Sequence, residues 1–153
     1  MNATQTYLVR KSFAAVERQA DVAALVFYRR LFELAPGLRP MFKSDIQEQA
    51  RKLMEMLAVA LNLLERPAEL AGELEDLGAR HVGYGTRPEH YATVRQALVD
   101  MFSEIMGDSF TPEMRQAWGE LYDFIEAAML RGAVAQANSE KLPPLQRIPR
   151  PSS

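Results

Sequence analysis

Arg80-His81-Val82-Gly83-Tyr84-Gly85, with Pro88-Glu89-His90-Tyr91 just after it, reads as a helix end, a glycine break and a helix start. Counting back from His81, Leu77, Leu74 and Leu70 recur at steps of three and four, the spacing of one helix face. Gly83 and Gly85 are residues at which such a helix stops. Pro88 suits the first turn of the next helix, which shows the stripe Tyr91, Val94, Leu98, Met101, Phe102 and Ile105 and ends at Gly107-Asp108. The imidazole of His81 therefore closes an apolar helix face beside a chain reversal.

Outward from this stretch the pattern stays helical. Pro67 opens the helix that ends at His81. Before it, over roughly residues 48–64, Ala50, Leu53, Met54, Met56, Leu57, Val59, Leu61, Leu63 and Leu64 make a helix apolar almost all round, expected to be buried on most sides. A first helix shows Val9, Phe13, Val16 and Ala20, and Asp21 reads as the N-cap of a second with Val22, Leu25, Tyr28, Leu31 and Phe32. Pro36 ends that one, because it disfavours helix at the residue before it. Residues 38–42, with Pro40, form a short segment, and 43–47 read as a connection. Thr111 caps the last helix, with Pro112 in its first turn and Met114, Ala117, Trp118, Leu121, Tyr122, Ile125, Ala128 and Met129 along it. The expected architecture is all-α: one domain over 1–137, then a proline-rich basic tail over 138–153 expected to be disordered.

Composition narrows the chemistry. Of 153 residues 48% are apolar and 25% charged, with a net charge of -2 and the two signs interspersed, which points away from nucleic acid and membrane surfaces. The absence of cysteine removes disulfides, thiolate metal sites, iron–sulfur ligation and cysteine nucleophiles. The N-terminus is polar without a signal-peptide core, and no apolar run approaches the ~20 residues that span a bilayer, so the expected location is the cytoplasm. The glycines lack phosphate-loop spacing, and no Ser/His/Asp arrangement has supporting context. His81 and His90, without carboxylates at ligand spacing, make a poor zinc or di-iron site. A single imidazole does suffice for a haem, which brings four nitrogens of its own. Taken alone, His81 reads first as a surface or core histidine.

The surrounding residues change that reading. The chain resembles the globin family, within it the bacterial single-domain haemoglobins similar to the haem domain of flavohaemoglobins. The resemblance rests on Phe27-Tyr28-Arg29-Arg30-Leu31-Phe32-Glu33-Leu34-Ala35-Pro36-Gly37-Leu38-Arg39-Pro40-Met41-Phe42, on Gln49-Ala50-Arg51-Lys52-Leu53-Met54, and on the His81 and Pro88 stretches. Ala117-Trp118-Gly119-Glu120-Leu121-Tyr122 matches as well. These motifs stand in the family's order and spacing over about residues 5–136.

The resemblance implies a globin fold around haem b (iron protoporphyrin IX), with His81 as proximal iron ligand, its other nitrogen donating to a backbone carbonyl such as that of Leu77. It implies that Phe42 packs flat on the porphyrin and that Tyr28, Gln49 and Leu53 line the distal side. Gln49 and Leu53, four apart, share a helix face. Each has a plain alternative: Phe42 and Leu53 as core, Tyr28 buried and bonded to a carbonyl, Gln49 as a solvated polar residue. One of Arg51, Lys52 and Arg80 would meet a haem propionate, or each is an ordinary solvated charge. His90 is assigned to the surface. A phenol and an amide in a dry pocket donate to a gas carrying partial negative charge, a bond of about 1.5–3 kcal/mol, so tight oxygen binding is expected.

Flavohaemoglobins set a glutamate of the last helix, assisted by a tyrosine, against the proximal histidine. Tyr91 matches that tyrosine, whereas the glutamate's place falls on Ala133, which weakens oxygen-activating chemistry. The leading expectation is reversible binding of oxygen, with nitric oxide and carbon monoxide as other ligands, by a monomer or homodimer. A second is nitric oxide dioxygenase activity supported by a separate reductase. A haem-based gas sensor is a third, set lower because no output domain follows residue 137. A haem-free helical interaction domain is the plainest.

Overall fold

The computed structural model describes residues 1–42, 45–82 and 87–140. Helix α1 (Ala3–Glu17) begins in a capping box: the Asn2 side chain accepts from the Gln5 amide at 2.8 Å, and the Gln5 side chain accepts from the Asn2 amide at 3.0 Å. Val9, Phe13 and Val16 bury its inner face. Ser12 is buried with them: its hydroxyl bonds back to the Leu8 carbonyl at 2.8 Å and accepts the Trp118 indole N–H at 2.7 Å, tying α1 to the last helix.

Ala20 opens α2 (Ala20–Leu34) rather than continuing α1, and its N-cap is Gln19, with no side-chain bond. Asp21 thus lies inside the first turn, where its charge suits the positive end of the helix dipole. The inner face of α2 is Ala23, Ala24, Phe27, Tyr28 and Leu31. Val22 and Leu25, expected on that face, are 48% and 44% exposed, because the small alanines let α2 come close to its neighbours along a different stripe. Arg30 reaches Asp100 at 2.9 Å, bracing α2 against α5. Pro36–Met41 forms a short 3-10 helix.

The third helix, α3 (Ile46–Asn62), starts earlier than residue 48, because the Asp45 side chain accepts the Gln47 amide at 3.2 Å and caps it. Only one face is buried, through Ala50, Met54, Leu57, Ala60 and Leu61. Val59 is 51% exposed, which corrects the expectation of a helix covered on most sides. Pro67 opens α4 (Pro67–Val82), and Pro88 opens α5 (Pro88–Met106), which ends at Gly107 with φ +58°. Helix α6 (Pro112–Glu140) is capped by Thr111, whose hydroxyl accepts the Met114 amide at 3.1 Å. It runs three residues past the 137 boundary expected from sequence. The rest of the proposed tail, residues 141–153, lies outside the described residues, as do Gly83 and Gly85.

The described residues are helical with no strand among them. α2 lies on α3 and α5, and α1 on α6. α4 crosses α6 at backbone contact: a Cβ on Gly78 would fall on the Met129 carbonyl, and one on Gly132 would fall on the Glu75 carbonyl. None of the described helices is long and apolar enough to cross a membrane.

Candidate functional site

Helix α4 delivers His81. The ring Nδ1 lies 2.8 Å from the Leu77 carbonyl oxygen. A carbonyl only accepts, so Nδ1 carries the proton and the lone pair sits on Nε2. Burial lowers the His81 pKa; the Leu77 bond opposes that shift, and the nearby Arg80 charge adds to it. The result is a neutral, oriented imidazole, the protonation state in which histidine binds metals. Among the described residues no cluster of three or more His, Cys, Asp or Glu could hold a metal ion, so a metal at His81 needs a carrier with donors of its own.

The packing leaves room for such a carrier. Helices α3 and α4 are joined over residues 63–66, and helices joined so briefly ordinarily pack side by side. Here they do not form a packed pair: α3 rests on α2 and α1, while α4 rests on α6. Leu53 on α3, Leu77 on α4 and Phe42 stay half-buried, leaving apolar surface partly uncovered at this end of the molecule. A flat, largely apolar group held by one imidazole nitrogen fits this arrangement.

The globin family model matches residues 25–129. This chain belongs to the globin family. Globins bind haem, the flat carrier that the neutral His81 and the unpacked α3–α4 pair suit. The globin is 30% identical over 140 residues to anaerobic nitrite reductase HBII of Casuarina glauca, an alignment covering 82% of this chain and 88% of that protein. It is 32% identical over 122 residues to a flavohemoprotein of Xylella fastidiosa, covering 77% of this chain but 30% of that longer protein. Among solved structures, an engineered carbene transferase derived from a protein of Rhodothermus marinus described as a nitric oxide dioxygenase superposes with TM-score 0.77. It is 26% identical, and the match covers 92% of this chain and 96% of that one.

The other residues singled out in this globin fall into two groups. Tyr28, Phe42 and Gln49 are brought together. The Tyr28 ring meets Phe42 edge-on at 5.4 Å, and its hydroxyl donates to the Gln49 backbone carbonyl at 3.3 Å. Burial pushes the Tyr28 phenol up to about 12, so it keeps its proton at neutral pH. The side-chain amide of the half-buried Gln49 makes no hydrogen bond among the described residues. Phe32, read from sequence as part of the α2 stripe and not as a site residue, completes the aromatic cluster at 5.4 Å from Phe42 and 6.0 Å from Tyr28; its position four residues after Tyr28 was the available signal.

The second group surrounds His81. His81, Tyr91 and Ala133 line one pocket of about 160 Å³ between α4, α5 and α6, with Gly78, Leu130 and Val134. Tyr91 is buried, and its backbone carbonyl accepts the Tyr122 hydroxyl at 2.6 Å. Lys52 belongs to neither group: it is exposed and pairs with Glu48 at 3.7 Å, as Arg51 pairs with Glu55 at 3.1 Å. Arg80 is exposed near the end of α4. The ring of His90 accepts the Arg87 amide at 3.0 Å, so it serves the start of α5.

Proposed function

We propose that this globin binds haem b through His81 and reversibly holds oxygen, nitric oxide or carbon monoxide. The observation that carries the reading is the 2.8 Å bond from His81 to Leu77, which presents a neutral imidazole beside helices α3 and α4 that do not pack together. Phe42, Leu53 and Leu77 would contact the porphyrin, Lys52 would serve a propionate if it left Glu48, and Tyr91 would support the proximal side. A bound haem, held by His81, would supply an iron that binds a diatomic gas.

This chain's residues act on the gas through two donors. The Tyr28 hydroxyl now points its proton at the Gln49 carbonyl, but 3.3 Å is long for an O–H···O bond, so a negatively polarised guest competes well for it. Gln49 offers its amide N–H from α3. Together they favour oxygen over carbon monoxide, which carries little charge. Glutamine is also a poor iron ligand, so the distal position stays available to gas.

A second reading, nitric oxide dioxygenation with a separate reductase, draws support from the likeness to the Xylella flavohemoprotein and to the Rhodothermus protein. Ala133 weighs on the side of binding: it places a methyl group in the wall next to His81, where a carboxylate would make the imidazole more basic. The Casuarina relative's name adds nitrite as a substrate to include in the same assay. We place the protein in the cytoplasm, as a monomer or homodimer.

The test is the absorbance spectrum of protein made with haem supplied, ferric and then dithionite-reduced, with and without carbon monoxide. A Soret band that shifts with carbon monoxide supports the haem and the open position. No Soret band after reconstitution would overturn the reading. Steady nitric oxide consumption with a reductase, against a single stoichiometric uptake, separates enzyme from binder.

A further inference from the structure

Phe42, the aromatic that meets the Tyr28 ring edge-on at 5.4 Å, stands at the end of a weak element. The 3-10 helix Pro36–Met41 is six residues long and contains Pro40, which has no N–H to give to its ladder. Such helices have poorer hydrogen-bond geometry than α-helices, so this one holds its own end loosely. The Phe42 amide donates to the Arg39 carbonyl at 3.2 Å, and the Phe42 carbonyl lies past the last residue of the helix.

The Arg39 side chain takes hold of that carbonyl. Its guanidinium donates to the Phe42 oxygen at 3.3 Å and lies 5.5 Å from the centre of the Phe32 ring, within cation–π range. Phe32 in turn meets Phe42 at 5.4 Å and Tyr28 at 6.0 Å. Most arginines among the described residues pair with carboxylates, as Arg30 does with Asp100 and Arg51 with Glu55. Arg39 makes no ion pair among them, so the ring and the carbonyl are what hold it. A guanidinium serves both at once because it is a flat fork with several N–H groups, whereas an ammonium is a single point charge.

We propose that Arg39 is a positioning residue of the gas site: from outside the pocket it clamps Phe42 to Phe32 and so fixes the Tyr28 ring and the direction of its hydroxyl. It acts through the two phenylalanines, since it makes no hydrogen bond or ring contact with Tyr28 among the described residues. The bond from Tyr28 to the Gln49 carbonyl is long at 3.3 Å, so ring packing has the larger part in aiming the hydroxyl. Without the clamp the Phe42 end of the 3-10 helix loosens, the Tyr28 ring gains room, and its proton spends less time on the gas. The inference rests on the gas-binding reading above.

The experiment compares haem-loaded, full-length wild type with Arg39→Ala and with Arg39→Lys, which keeps the charge and loses the fork. Stopped flow reads oxygen release, and the infrared C–O stretch of the carbon monoxide complex reads whether a donor faces the ligand. Both variants should release oxygen about 2- to 10-fold faster, part of the effect of losing one hydrogen bond to a charged acceptor. Both should also show a second C–O band at higher frequency, where Tyr28→Phe places its own. In a Tyr28→Phe background Arg39→Ala should change oxygen release no further, because the effect runs through that hydroxyl. Unchanged release and an unchanged band in both variants overturn the proposal, and so does a lowered Tm with no movement of the band. Wild-type behaviour of Arg39→Lys overturns it by making the charge responsible; an undiminished effect of Arg39→Ala on Tyr28→Phe does so by removing the route through Tyr28. A missing Soret band in the wild type overturns the haem reading and this proposal together, whereas each of the other outcomes leaves the haem reading standing.

Discussion

The Nδ1–H of His81 donates to the carbonyl of Leu77, one turn earlier on the same helix, at 2.8 Å. A carbonyl oxygen has two lone pairs, so within α4 the Leu77 carbonyl can accept this bond as well as a helical N–H. It fixes both the tautomer and the tilt of the ring. His81→Ala is therefore expected to lose haem or hold it loosely while the helices stay folded. Soret absorbance per protein after desalting, alongside far-UV circular dichroism, checks this; full haem retention in the variant would exclude His81 as the ligand.

Tyr28→Phe removes one donor to a charged acceptor and keeps the ring against Phe42. Oxygen release should speed up by roughly tenfold or more, with carbon monoxide release changed much less. Stopped-flow displacement of oxygen by carbon monoxide measures it. An unchanged rate would mean that the hydroxyl stays with the Gln49 carbonyl when gas is bound.

Gly132→Ala would drive a methyl group into the Glu75 carbonyl at the α4–α6 crossing. Backbone cannot move aside as a side-chain tip can, so a loss of about 1–3 kcal/mol is expected, several degrees in Tm. Haem dissociation should speed up as well, because the helix displaced is the one that carries His81. Thermal melts and haem transfer to an acceptor protein report the two effects.

Alkaline pH should destabilise the fold through its buried phenols. The Tyr28 pKa is raised to about 12 by burial, whereas an unfolded tyrosine ionises near 10. Between these values the folded chain keeps a proton that the unfolded chain releases. The contribution is complete below about pH 10 and disappears as pH rises toward 12. Tyr91 and Tyr122 shift the same way, chiefly through burial. Urea unfolding across pH 9–12 should show the decline, and Tyr28→Phe should flatten part of it.

Helix order was legible in the chain because its signals are local. Thr111 and Pro112 start α6, Pro88 starts α5, and Val9, Phe13 and Val16 of the expected first stripe are buried on α1, while Ala20 belongs to α2. Asp45-Ile46-Gln47-Glu48 carried the α3 start too, an acceptor followed three residues later by a glutamate, although the segment reads as a connection when the apolar pattern alone is followed. The candidate site was legible as residue types at family spacing: His81 with Leu77 one turn before it, and Tyr28 with Gln49. The direction of the Tyr28 proton was not, since it depends on where another helix places a carbonyl.

What the chain determined by itself was a set of capped helices and a histidine whose tautomer is set within its own turn, because capping and i to i+4 bonds involve neighbours in sequence. Which stripe of α2 is covered, leaving Val22 and Leu25 in water, was decided only in three dimensions, where alanines allow close approach. The same holds for the α4–α6 crossing at Gly78 and Gly132, which draws α4 onto α6 and away from α3. Periodicity states that a helix has an apolar face; the fit of all the other surfaces decides what covers it, and here that fit leaves α3 and α4 apart.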